Sequence, residues 1–119
     1  MGQKTTSKAG KFGEEYAVNL LLDKGYKILQ KNFRSKFGEI DIVAMDGDCL
    51  VFVEVKSRWN KNFGLPEEAV TQSKIWKIMR TAEFYMLRHP DHAQKQRIDV
   101  VSLLIDKGKV QNAKIITVN

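Results

Sequence analysis

Asp41, Glu54 and Lys56 lie in the stretch Gly38–Arg58, GEIDIVAMDGDCLVFVEVKSR, which reads as two strands around a turn. Two carboxylates and a lysine so disposed can hold a divalent cation beside a phosphate and steer water onto it, as metal-dependent phosphodiester hydrolysis requires. Strand residues two apart share a face, roughly 6–7 Å from each other, so Glu54 and Lys56 point the same way. If Gly47-Asp48 is the loop, Asp46 pairs with Cys49, Asp41 falls opposite Glu54 and Glu39 opposite Lys56. With Asp46-Gly47 as the loop, Asp41 and Glu54 become diagonal neighbours, still on one face and about 7–8 Å apart. Only a three-residue loop separates them.

The same register gathers Ile40, Ile42, Ala44, Val51, Val53 and Val55 on one apolar face fit for a core. The other face carries Glu39, Asp41, Val43, Met45, Leu50, Phe52, Glu54 and Lys56, so its charges collect at one end. Carboxylates facing each other across a ladder repel, and a cation between them relieves the repulsion. Mg²⁺ suits such a place, because it takes one or two carboxylates together with waters and phosphate oxygens. The competing reading is a solvated cross-strand charge cluster, which spacing alone does not exclude.

The chain has 119 residues, of which 43% are hydrophobic, enough for one domain with its own core. Residues 1–7 read as a flexible basic tail and 8–119 as a single domain. A formal charge of +6 favours a polyanionic partner such as nucleic acid. Cys49 is the only cysteine, which leaves no internal disulfide and no cysteine-based zinc site and fits a reducing compartment. With no apolar signal core and no apolar run near 18 residues, the expectation is a cytoplasmic protein without membrane contact.

Positioning elements follow from periodicity. A helix runs from Lys8 or Lys11 to Lys24 and stops at Gly25, with Ala17, Val18, Leu21 and Leu22 as its apolar face. Glu14 projects from its first turn on the buried side, where a carboxylate is costly unless paired, metal-linked or favoured by the helix dipole. Tyr26–Phe33 reads as a strand, followed by a basic loop holding Arg34 and Lys36. Arg58, Trp59, Lys61 and Phe63 occupy a loop whose cations and rings suit phosphates and bases, or simply cover a core edge. A second helix begins at Pro66 with Glu67 and Glu68 and ends at His89-Pro90. Its stripe is Ile75, Ile78, Met79, Ala82, Tyr85 and Met86, and Lys74 and Lys77 are presented toward a passing phosphate backbone. Two strands complete the order αβββαββ, with a crossover that puts one parallel pair in an otherwise antiparallel α/β sheet.

The segments GKFGEEYAVNLLLDKGYKIL, KNFR with its asparagine, GEIDIVAMDGDCLVFVEVKSR, FGLPEEAV followed by Lys74, and RIDVVSL occur in an order that identifies a family. The chain resembles the bacterial YraN family of predicted endonucleases, within the PD-(D/E)xK nuclease superfamily. That resemblance implies a restriction-endonuclease-like mixed sheet flanked by helices. It implies Asp41 and Glu54 as metal-binding carboxylates, Lys56 as the catalytic lysine, and the Val55 carbonyl as a further ligand. Glu14 resembles the first-helix acidic residue of archaeal Holliday-junction resolvases. The implied cofactor is Mg²⁺ or Mn²⁺ and the implied substrate nucleic acid, DNA foremost, with branched structures and a homodimer both compatible. Glu39 is read as support for Lys56; Arg34, Lys36, Arg58, Lys61, Lys74 and Lys77 are read as the nucleic-acid-binding rim. Ile40 stands where the superfamily's name has proline, a position that supplies no chemistry. The alternative is a non-cleaving nucleic-acid-binding module with a nuclease fold.

Overall fold

A computed structural model describes residues 8–59, 62 and 64–118. Its elements are α1 (Lys8–Asp23), β1 (Lys27–Ser35), β2 (Gly38–Asp46), β3 (Cys49–Arg58), α2 (Gln72–Arg88), β4 (Lys95–Asp106) and β5 (Lys109–Thr117), the order αβββαββ. The five strands form one mixed sheet in sequence order, antiparallel except for the β3–β4 pair, which is parallel. A parallel pair needs a long crossover, and α2 supplies it. The expected tail and residues Lys61 and Phe63 lie outside the described residues.

Each face of the sheet is covered by one helix. Ala17 and Leu21 of α1 pack on Ile42, Ala44, Val51, Val53, Val101 and Leu103, while Ile78, Ala82 and Tyr85 of α2 pack on Val43, Leu50, Phe52 and Ile98. This is why β3 and β4 read as nearly continuous apolar runs: both of their faces are buried. The stripes differ in detail from periodicity. Leu22 and Met79 are exposed, and Gly13 and Thr81 take buried places instead. Gly13 is there because α1 comes so close to β3 that a Cβ would sit 2.6 Å from Ser57 Oγ. Thr81 satisfies its buried hydroxyl by donating to the Lys77 carbonyl at 2.9 Å.

The β2–β3 register is the one with Gly47-Asp48 as the loop: Asp46 pairs with Cys49, Met45 with Leu50, and so on to Ile42 with Val53. Gly47 takes a φ of +61°, as a tight hairpin demands.

Three local expectations need correction. Arg34 is inside β1, which runs on to Ser35, so the loop before β2 is only Lys36-Phe37. Pro66 opens a short 3-10 turn, Pro66–Ala69, rather than α2, which starts two residues after an extended Val70 and is capped by the Thr71 side chain accepting from Lys74 N–H. The turn is pulled away from the helix because Glu67 accepts hydrogen bonds from Ser102 Oγ at 2.6 Å and Lys114 Nζ at 2.8 Å, across β4 and β5. These partners hold the Glu67 carboxyl down at about 2.

The third correction bears on the site. Ile40 and Ile42 are two apart, yet Ile42 enters the α1 core and Ile40 joins Phe33 in the α2 core. The strand alternation slips between them. Across the ladder, where Lys31 pairs with Ile42 and Phe33 with Ile40, Asn32 has a left-handed φ of +55°. A non-glycine residue in that region stores strain of about 1–2 kcal/mol, and such strain collects at functional positions.

Candidate active site

Asp41 sits at this slip. The regular β2–β3 pairing runs as far as Ile42–Val53, and beyond it the Asp41 side chain takes over: its Oδ2 accepts from the Val55 N–H at 2.7 Å. This turns the carboxyl toward Glu54, on the face that also carries Lys56. A cleft of about 250 Å³ opens there, lined by Gly38, Glu39, Asp41, Glu54, Lys56, Lys74, Lys77 and Ile78. The start of β2, the end of β3 and the first turns of α2 thus build one cavity.

Its electrostatics are divided. Burial, then the charge of Glu54, push the Asp41 carboxyl up to about 8, and a hydrogen bond with Glu54 adds to the rise because only a protonated carboxyl can donate it. Facing this pair is a group of like-charged ammoniums. Burial lowers the affinity of Lys56 for its proton, and the adjoining Lys74 ammonium, in hydrogen-bonding contact, lowers it further. Two crowded carboxylates next to two crowded ammoniums are the arrangement expected of a seat for a cation and an anion together.

Glu14 approaches from the other side. Burial and the charge of Asp41 raise its pKa, while a hydrogen bond from the Asn32 side chain opposes the rise. It lines a second, larger cleft of about 560 Å³ between α1 and β1, with Lys11, Glu15, Val18, Asn19, Lys31 and Asn32. Among the described residues, no three carboxylate, imidazole or thiolate side chains converge into a ready metal cage. The pair Asp41 and Glu54 fits an ion such as Mg²⁺, which commonly retains waters and takes only one or two carboxylates. Glu14 stands as an outer carboxylate in the electrostatic reach of Asp41.

Of the other residues read from sequence, Lys56, Lys74 and Lys77 line the Asp41 cleft, and Arg58 lies close enough to repel the Lys56 charge. The Arg58 Nε is buried and has no hydrogen-bond partner among the described residues. Arg34 donates through Nε to Glu39 at 2.9 Å, so both belong to one ion pair on the rim. Lys36 is exposed in the turn beside the Phe37 ring.

Asn32 is a residue whose role no spacing rule reveals. Its left-handed backbone allows the β1 slip, and its side chain holds Glu14, two jobs that substitutions separate. Asn32→Gly frees the backbone but drops the hydrogen bond; it is expected to leave thermal stability within about 1 kcal/mol of wild type and to weaken Mn²⁺ binding about 10-fold or more, the usual cost of losing an outer-shell partner. Asn32→Ala drops the same hydrogen bond but also strains the left-handed backbone, so it is expected to match Asn32→Gly in Mn²⁺ binding while losing about 1 kcal/mol more stability, and calorimetry on both variants separates strain from positioning.

Comparison with known proteins matches residues 13–103 to the uncharacterised protein family UPF0102. The chain is 45% identical to a UPF0102 protein of Persephonella marina over 80% of its own length and 82% of that protein's. It is 46% identical to one of Syntrophomonas wolfei, covering 84% and 87%, and 45% identical to one of Clostridioides difficile, covering 87% and 90%. Among the described residues no helix is long and apolar enough to cross a membrane. The matched span takes in Glu14, the slip at Asn32, the β2–β3 hairpin and the start of α2, so the whole cleft lies in what is shared, and the chain belongs to the family UPF0102.

Proposed function

We propose that this chain is a metal-dependent endonuclease of the PD-(D/E)xK type, hydrolysing phosphodiester bonds in nucleic acid, DNA foremost, with branched DNA within its reach. The observation that carries this reading is the pairing of Asp41 with Glu54 at the end of the hairpin, directly beside Lys56 and Lys74. Asp41, Glu54 and the Val55 carbonyl would hold Mg²⁺ or Mn²⁺. When bound, that ion supplies Lewis-acid stabilisation of the phosphoryl oxygens and an acidified water. Glu14, oriented by Asn32, adds negative charge behind the site.

The protein's own groups do the rest. Lys56 is placed to orient the attacking water and offset charge building on the phosphate, and its weakened hold on a proton suits a group that exchanges one during the reaction. Lys74 and Lys77 grip the phosphate from α2, while Arg58 carries the basic wall along β3. Thr71 caps α2 and so fixes where Lys74 enters the cleft.

The reading is tested on linear, flap and four-way-junction DNAs with Mg²⁺ or Mn²⁺. Wild type is expected to cut at least one of them, and Lys56→Ala to cut about 10²–10³-fold more slowly, the range for removing one stabilising donor. Equal cutting by the variant, or no cutting by wild type, contradicts it. Binding that weakens steeply with salt in a protein that cuts nothing would instead identify a non-cleaving nucleic-acid-binding module.

A further inference from the structure

Phe12, Tyr16 and Trp59 form an aromatic cluster that the site does not use. The Phe12 ring lies 5.7 Å from Trp59 and 6.4 Å from Tyr16, tilted against both. These rings are not part of either core, and each stays 37–41% exposed although they touch one another. Lys8, Phe12 and Tyr16 are spaced by four residues and so form one stripe along α1, with a cation at its start. Trp59 continues the row of β3 residues that faces α1, and the close approach at Gly13 and Ser57 brings the two elements near enough for the rings to meet.

The cluster adjoins both catalytic elements. Phe12 is two residues before Glu14, and Trp59 is three after Lys56, about 10 Å along the strand. Lys56 and Arg58 point to the α2 side of that strand end and Trp59 to the α1 side. A chain passing around the end of β3 therefore touches phosphate-seeking cations on one side and exposed ring faces on the other. Duplex DNA offers ring faces no stacking partner, because its bases are stacked on each other. Unpaired bases do, and cations interleaved with aromatics are the means by which proteins hold single strands.

We propose that Phe12, Tyr16 and Trp59 are a stacking platform for unpaired nucleobases next to the cleavage site, so that the preferred substrate carries a single-stranded stretch at the cut. This rests on the nucleic-acid reading above and narrows it. The test is binding of a short fluorescent single strand and of its duplex, by anisotropy, with EDTA present so that nothing is cut. Trp59→Leu is expected to weaken single-strand binding about 10-fold, Trp59→Phe to retain affinity within about 3-fold of wild type, and duplex binding to be the same in all three. Phe12→Leu reads the same platform from α1 and is expected to act as Trp59→Leu does. Equal losses on single strand and duplex, no loss on either, or a change of oligomeric state in place of a binding change overturns the proposal. Single-strand preference in a protein that never cuts would sink the nuclease reading and leave the platform standing; cutting without that preference would do the reverse.

Discussion

Asp41→Asn is expected to reduce metal-dependent cleavage by about 10³-fold or more and, in the same molecule, to make the metal-free protein more stable above neutral pH. Both effects have one cause. Asp41 is the carboxylate that burial and Glu54 hold up to about 8, so the metal-free fold binds a proton there that the unfolded chain has already released. Because the native state holds more protons than the unfolded state between the ordinary carboxyl range and about 8, stability falls as pH rises through that window. Between about pH 6 and pH 9 the loss should amount to roughly 2–3 kcal/mol. Asparagine has no charge to bury, so the variant's unfolding free energy should be flat across the same range. Saturating Mg²⁺ or Mn²⁺ should flatten the wild-type curve as well, since an ion bound only by the folded state adds stability and favours the deprotonated carboxyl. Urea unfolding at several pH values, with metal and with EDTA, reads all of this. A flat wild-type curve in EDTA would contradict the account of Asp41.

The second large effect concerns stability alone. Asp99→Ala is expected to cost about 3–5 kcal/mol, the range for stranding one partner of a buried ion pair. Asp99 is fully buried on the α1 side and accepts hydrogen bonds from Tyr26 Oη at 2.9 Å, Arg97 Nε at 3.0 Å and Thr117 Oγ1 at 2.8 Å. Arg97 in turn donates to Asp46 at 2.6 Å and to the Tyr26 hydroxyl at 2.8 Å. One carboxylate thus ties together the start of β1, the end of β2 and both of the last strands. Its hydrogen bond with Arg97 raises the guanidinium's hold on its proton, and burial pushes the Tyr26 hydroxyl up to about 12. Removing it leaves the Tyr26 and Thr117 hydroxyls without this acceptor and Arg97 with Asp46 as its one carboxylate partner among the described residues, in a domain whose total stability is of order 5–15 kcal/mol. Asp99→Asn keeps one oxygen and should cost less, about 1–3 kcal/mol. A loss below about 1 kcal/mol for the alanine variant would show that the network is dispensable.

The hairpin was legible because its information is local. Period-two alternation, a Gly-Asp loop and an apolar run on each side fix a register with few alternatives, and the pairs from Asp46–Cys49 to Ile42–Val53 follow it. Helix α1 was legible for the same reason, with a glycine just past its end. Other features were not, because their causes lie far off in the chain. Nothing in KNFR marks Asn32 as left-handed, and without that residue Ile40 is assigned to the wrong core. Glu67 looks like a helix N-terminal carboxylate until Ser102 and Lys114, thirty-five and forty-seven residues away, claim it. The contact of Lys74 with Lys56 is likewise tertiary: periodicity puts Lys74 on an open helix face, and only the docking of α2 shows the face to be the wall of the cleft.

The central claim is that Asp41 and Glu54 form a seat for a divalent ion. Titration of the metal-free protein with Mn²⁺ by calorimetry tests it most directly, comparing wild type with Asp41→Asn and Glu54→Gln. The account predicts saturable binding by wild type, accompanied by proton release near neutral pH, with binding weakened at least about 100-fold in either variant. No binding by wild type, or undiminished binding by both variants, would contradict it.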